Sequence, residues 1–122
     1  MDMYNEDNVL CAASTYEQKY YFNQRFDALP TGIKEELQIM SVLFTEEVGG
    51  IFSLVYDEEG NLMLETEADE EDILYDEIGS ALKVKQLQET KKELFESLEL
   101  FYKTFILHKD IGELLADVQE EE

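Results

Sequence analysis

Tryptophan is absent from this 122-residue chain, and cysteine, proline and histidine occur once each. A single Cys excludes an internal disulfide and any Cys-based metal cluster. Cations are scarce as well: nine Lys and Arg stand against thirty Asp and Glu, a formal charge of −21. Residues 35–82 contain no Lys or Arg, while fifteen acids fall there. Nucleic-acid binders draw most of their affinity from cations that neutralise phosphates, so this balance excludes a conventional nucleic-acid role and disfavours anionic lipid surfaces. Long apolar runs are missing too. The longest mostly apolar strip, Ile39–Phe44, is far below the roughly 20 residues of a membrane helix. Met1–Ser14 has no basic n-region, and Val9–Ala13 is too short for a signal-peptide h-region. The expectation is a cytoplasmic protein with no membrane or nucleic-acid partner.

What is present supports a packed interior. Hydrophobic residues make up 44% of the chain and aromatics 11%, above the level of disordered segments. The length suits one domain. Composition divides it into an N-terminal arm over residues 1–13, a single domain over 14–109, and an acidic tail over 110–122. In the tail, Ile111, Leu114, Leu115 and Val118 are spaced for a short amphipathic helix.

Ser14-Thr15-Tyr16-Glu17 fits a capping box and predicts a helix start. Tyr16, Tyr20, Phe22 and Phe26 would line that helix, which should stop near Leu29 because Pro30 disfavours helical geometry in the residue before it. A helical turn over Thr31–Leu37 follows. The near-continuous apolar strip Gln38–Thr45 reads as a strand covered on both faces. Gly49-Gly50 supplies a turn, Ile51–Tyr56 a second strand, and Asp57–Asn61 a hairpin loop. In the third strand Leu62, Leu64, Thr66 and Ala68 alternate with Met63, Glu65 and Glu67, which suits a charged edge. Beyond the acidic run Asp69–Asp72 the pattern turns helical, with Gly79 as a point of bending. Val84, Leu87, Lys91, Leu94, Leu98, Phe101, Phe105 and His108 form a heptad seam broken only by Lys91. Phe95 and Tyr102 widen the seam, which favours covering the chain's own sheet; a helix-mediated homodimer is its alternative use. The fold class is α+β: a two-layer sandwich in the order α-β-β-β-α.

No catalytic constellation emerges. His108 stands alone near a helix end, and Cys11 has no cationic neighbour in sequence to lower its pKa. Carboxylates are abundant, but general acid chemistry needs one raised by burial beside another kept ionised. No cofactor motif is found; Gly49-Gly50 lacks the Lys of a phosphate loop and is preceded by Glu46 and Glu47. Hard divalent cations take oxygen ligands, so Asp69, Glu71, Asp72 and Asp76 are the candidate metal ligands, provided that stretch is helical. Tyr20 and Tyr21 are the candidate partner-interface residues, because five aromatics in residues 16–26 exceed one narrow face and Tyr favours interfaces. The expected function is a non-catalytic protein–protein interaction module with a basic partner. The alternatives are a divalent-cation or small-ligand-binding domain and an acidic dimeric chaperone-like binder.

Several stretches carry a family likeness: Tyr16–Asn23, Leu29-Pro30 with Ile33-Lys34, Leu43–Glu46 with Val48-Gly49-Gly50, and Leu74–Gly79. Together they resemble a small bacterial family classed as a domain of unknown function, over roughly residues 10–105. The resemblance implies a bacterial intracellular protein and brings no activity or site residue with it. The α-β-β-β-α order is also that of double-stranded-RNA-binding domains, whose basic residues are absent here.

Overall fold

Two β-hairpins and three helices account for residues 8–108, the part of the chain that the computed structural model describes. β1 (Val9–Ser14) and β2 (Lys19–Phe22) form the first hairpin. A one-turn 3-10 helix, Gln24–Phe26, leads to α1 (Thr31–Val48). β3 (Ile51–Tyr56) and β4 (Leu62–Glu67) form the second hairpin, followed by α2 (Glu77–Thr90), α3 (Lys92–Phe101) and a π-helical turn, Tyr102–Ile106. The four strands lie in the order β2-β1-β3-β4, antiparallel throughout. The class is α+β as expected, but the sheet has four strands and the elements run β-β-α-β-β-α-α.

Three expectations are corrected. The arm over residues 1–13 does not hold for residues 9–13: β1 is an inner strand and every residue of it is buried. The helix expected over Ser14–Leu29 is instead a hairpin turn, β2 and the 3-10 turn. The Ser14 hydroxyl does accept the Glu17 amide at 3.2 Å, as a capping box requires. That bond spans three residues in a hairpin loop as readily as at a helix start. With Gln18 at φ +53 to turn the chain, it launches the aromatic strand Lys19-Tyr20-Tyr21-Phe22. The strand expected over Gln38–Thr45 lies inside α1. Leu37, Met40, Ser41, Phe44 and Val48 are the buried stripe of that helix, at the 3–4 spacing of one helix face. Ile39 and Leu43 fall between them on the solvent side and fill in the apolar run, which hides the period.

The core lies between the sheet and the helices. Leu10, Cys11, Phe52 and Leu54 face Leu37, Met40, Phe44 and Val48, and the rings of Phe44 and Phe52 stack at 4.4 Å. At the other end Phe26, Tyr56 and Tyr102 cluster, Tyr56 stacking on Tyr102 at 4.2 Å. The Tyr56 hydroxyl donates to the Leu98 carbonyl at 2.8 Å, which satisfies a polar group fully removed from water.

The seam expected from Val84 onward packs within the chain as far as Tyr102: Phe95, Leu98 and Tyr102 are buried, and Val84, Leu87, Leu94 and Phe101 pack against the core, while Phe105 is 62% exposed. Its polar member, Lys91, is where the helix breaks into α2 and α3, with φ −110 and ψ 20. Lys91 Nζ reaches Glu36 Oε2 on α1 at 3.1 Å. His108 follows the π turn at φ +59 and is exposed, rather than lying in a last helical turn.

The segment between β4 and α2 is pinned to the end of α1. The Asp76 amide donates to the Val48 carbonyl at 3.2 Å, while Asp76 Oδ1 caps α2 through the Gly79 amide at 2.8 Å. Gly79 therefore sits in the first turn of α2 and bends nothing. Gly50, at φ +72, lies against the Tyr75 ring and the Glu67 carbonyl, leaving no room for a Cβ.

Candidate interaction surface

α1 and α2 run antiparallel over the outside of the sandwich, as their two cross-links require. Lys83 Nζ meets Glu47 Oε2 at 2.6 Å near the end of α1, and Lys91 meets Glu36 near its start. Between the two helices lies an open groove of about 390 Å³, walled by Glu35, Ile39 and Leu43 on α1, by Lys83 and Leu87 on α2, and by Lys91 just beyond α2. Its α1 lip is apolar and open to water: Ile39 is 60% exposed and Leu43 48%. Leu82, 64% exposed, and Ile78, 76%, lie on the outward side of α2, turned away from the groove that Leu87 lines. The buried stripes of α1 and α2 face inward, so these four side chains lie outside the core. Glu35, Glu46 and Glu47 stand exposed beside them.

The acidic residues proposed as metal ligands are employed separately. Asp72 Oδ2 accepts the Tyr16 hydroxyl at 2.5 Å, and Tyr16 accepts the Asp69 amide at 3.0 Å. The bond to Asp72 raises the Tyr16 pKa. Asp72 Oδ1 turns to the Leu74 amide, while Asp76 caps α2. Residues 69–76 form turns rather than the helix that would have stacked Glu71, Asp72 and Asp76 on one face. Among the described residues no group of three or more His, Cys, Asp or Glu is placed to hold a metal ion.

Tyr20 and Tyr21 lie on the edge strand β2, both half-buried. Tyr20 packs against the core, with its hydroxyl buried beside Cys11. Tyr21 pairs with Ala12, which places it on the opposite face of the sheet. Cys11 itself is wholly buried, its Sγ 3.8 Å from Ser41 Oγ. Burial pushes the thiol up to about 11, with the Tyr20 and Ser41 hydroxyls pulling partway back. A thiol so placed is a core residue rather than a nucleophile. Asp57, at the β3–β4 turn, is held below the usual carboxylate range by hydrogen bonds, the Asn61 amide first.

Residues 7–110 match a family of unknown function, DUF6145. The chain belongs to this family. The match takes in every described strand and helix. No curated protein and no solved structure matches the chain. No described helix is long and apolar enough to cross a membrane.

Sequence reasoning missed Ile39, Leu43, Ile78 and Leu82 as surface residues. The signal was there for the first two. Once residues 31–48 are read as a helix, Leu37, Met40, Phe44 and Val48 fill the inner stripe, and Ile39 and Leu43 are left over on the outside.

Proposed function

We propose that this protein is a non-catalytic protein–protein interaction module that acts in the cytoplasm on a basic partner. The observation that supports this best is the pairing of exposed apolar side chains on α1 and α2 with a chain charge of −21. Exposed apolar groups rimmed by polar ones mark places where a surface meets another molecule. The acidic field adds attraction and faster encounter with a cationic partner. The Cys11 thiol and the Tyr20 and Tyr56 hydroxyls, whose pKa values burial raises, are held within the core.

The test is site-specific photo-crosslinking in the producing cell, with the reactive residue placed in turn at about a dozen surface positions. The interaction reading expects a discrete adduct of fixed mass at a contiguous set of positions. If every position stays silent while calcium or magnesium raises the melting temperature, the protein is a cation-binding domain instead.

A further inference from the structure

The geometry points to the α1–α2 groove as the docking site for a cationic amphipathic helix of another polypeptide, a step that rests on the interaction reading above. Three observations carry it.

The first is shape. Gly32 to Glu47 spans fifteen residues of α1, about 22 Å at 1.5 Å per residue. The facing wall runs from Lys83 to Lys91, about 12 Å by the same measure, so both walls stand over about two turns, with Leu87 on one side and Ile39 and Leu43 on the other. A third helix lies in such a trough with about two of its turns enclosed and its i, i+3, i+4 and i+7 side chains inward.

The second is charge. The two lysines of the groove are already engaged, Lys83 with Glu47 and Lys91 with Glu36. In the lining Glu35, Glu36 and Glu47 outnumber Lys83 and Lys91, which leaves the rim acidic. An occupant flanked by that rim gains from Lys and Arg beside its apolar stripe. A second copy of this chain would bring another −21 charges and the same acidic rim against the first. Self-pairing in this groove therefore works against its own electrostatics.

The third is that the fold does not need the apolar lip. The inner stripe of α1 is complete without Ile39 and Leu43. A surface that breaks its own pattern without gain to the core is where function is to be sought.

The probe is a fluorescein-labelled 18-residue helical peptide with Leu at i, i+3, i+4, i+7 and i+11 and Lys or Arg at most other positions. Its binding to the full chain is read by anisotropy at 150 mM salt. A peptide of the same composition with scrambled leucines measures bulk charge attraction, and one with Glu in place of the cations measures apolar contact alone. The amphipathic cationic peptide should bind at least tenfold more tightly than either control. Ile39→Ser with Leu43→Ser should weaken it about tenfold, while Leu82→Ser, and Ile73→Ser with Leu74→Ser, all exposed outside the groove, should not. Circular dichroism and melting temperature establish that each variant is folded. Equal binding of the scrambled peptide overturns the proposal, and so does full binding by the folded Ile39→Ser, Leu43→Ser variant. A dimer in light scattering that this double variant dissolves makes the occupant a second copy and overturns it too. Crosslinks elsewhere with silence at residues 39 and 43 sink the groove alone; silence everywhere sinks the interaction reading.

Discussion

Gly50→Ala should be among the most damaging single-methyl changes in this protein. Gly50 has φ +72, a conformation that costs an L-residue about 1–2 kcal/mol. The new Cβ would lie 2.5 Å from the Glu67 carbonyl oxygen and 2.8 Å from the Tyr75 ring. The ring can swing, at the expense of its hydroxyl's 2.7 Å bond to Ser80. The carbonyl cannot, because Glu67 is held in register with Ile51 at the end of the β3–β4 ladder. Overpacking of this kind costs about 1–3 kcal/mol. Alanine returns about 0.4–1 kcal/mol by restricting the unfolded chain, so the net loss should be about 2–4 kcal/mol. At roughly 4 °C per kcal/mol for a domain of this size, the melting temperature should fall by about 8–16 °C. Urea unfolding followed by far-ultraviolet circular dichroism measures it, with unchanged m-value. Gly32→Ala is the internal contrast: nothing lies within 4 Å of the added Cβ and the site is helical, so stability should rise by up to about 1 kcal/mol. A Gly50→Ala protein within 0.5 kcal/mol of the parent would refute the reasoning about this turn.

Tyr56→Phe keeps the ring stack on Tyr102 and removes the 2.8 Å bond to the Leu98 carbonyl, which retains the Tyr102 amide as a donor, and should cost about 0.5–1.5 kcal/mol in denaturant unfolding. Cys11 should resist thiol reagents at pH 8 until the chain unfolds. Its pKa is raised from 9.0 to about 11, so the fold keeps the neutral thiol: its contribution is complete below pH 9 and is lost as pH rises toward 11, by up to about 3 kcal/mol. Removing the thiol with Cys11→Ala should flatten that alkaline fall in stability, and an unaltered slope would rule the assignment out. Ile39→Ser should change stability by no more than about 0.5 kcal/mol, because most of that side chain lies in water, and Leu43→Ser, at a half-exposed site, should cost about 1 kcal/mol.

Local patterns decided the second hairpin. The apolar strand Ile51–Tyr56, the Asx-stabilised turn over Asp57–Asn61 and the alternation from Leu62 to Glu67 carry their period in sequence, and the edge position of β4 with its outward glutamates follows from it. The breadth of the seam from Val84 to Tyr102 was likewise enough to turn it toward the chain's own core. The same local logic misread the first half of the chain. Ser14 to Glu17 makes the bond a helix cap would make, yet the segment becomes a hairpin because β2 can pair with β1. Val9–Ala13 is short and weakly apolar, and becomes an inner strand only because β3 arrives from some forty residues away to pair with it. Ile39 and Leu43 blurred the period of α1 for a reason of their own: they belong to the outer surface.

The candidate metal ligands show the same division. Asp69, Glu71, Asp72 and Asp76 are neighbours in sequence, but whether carboxylates converge depends on the backbone between them. Here that backbone is spent on pinning Tyr16 and capping α2. The sequence by itself determined the charge, the α+β class and the helical and strand periods of the second half. Tertiary structure alone decided which apolar residues are core and which are surface. Period fixes the face a side chain occupies, and only the packing of distant elements fixes which face meets water.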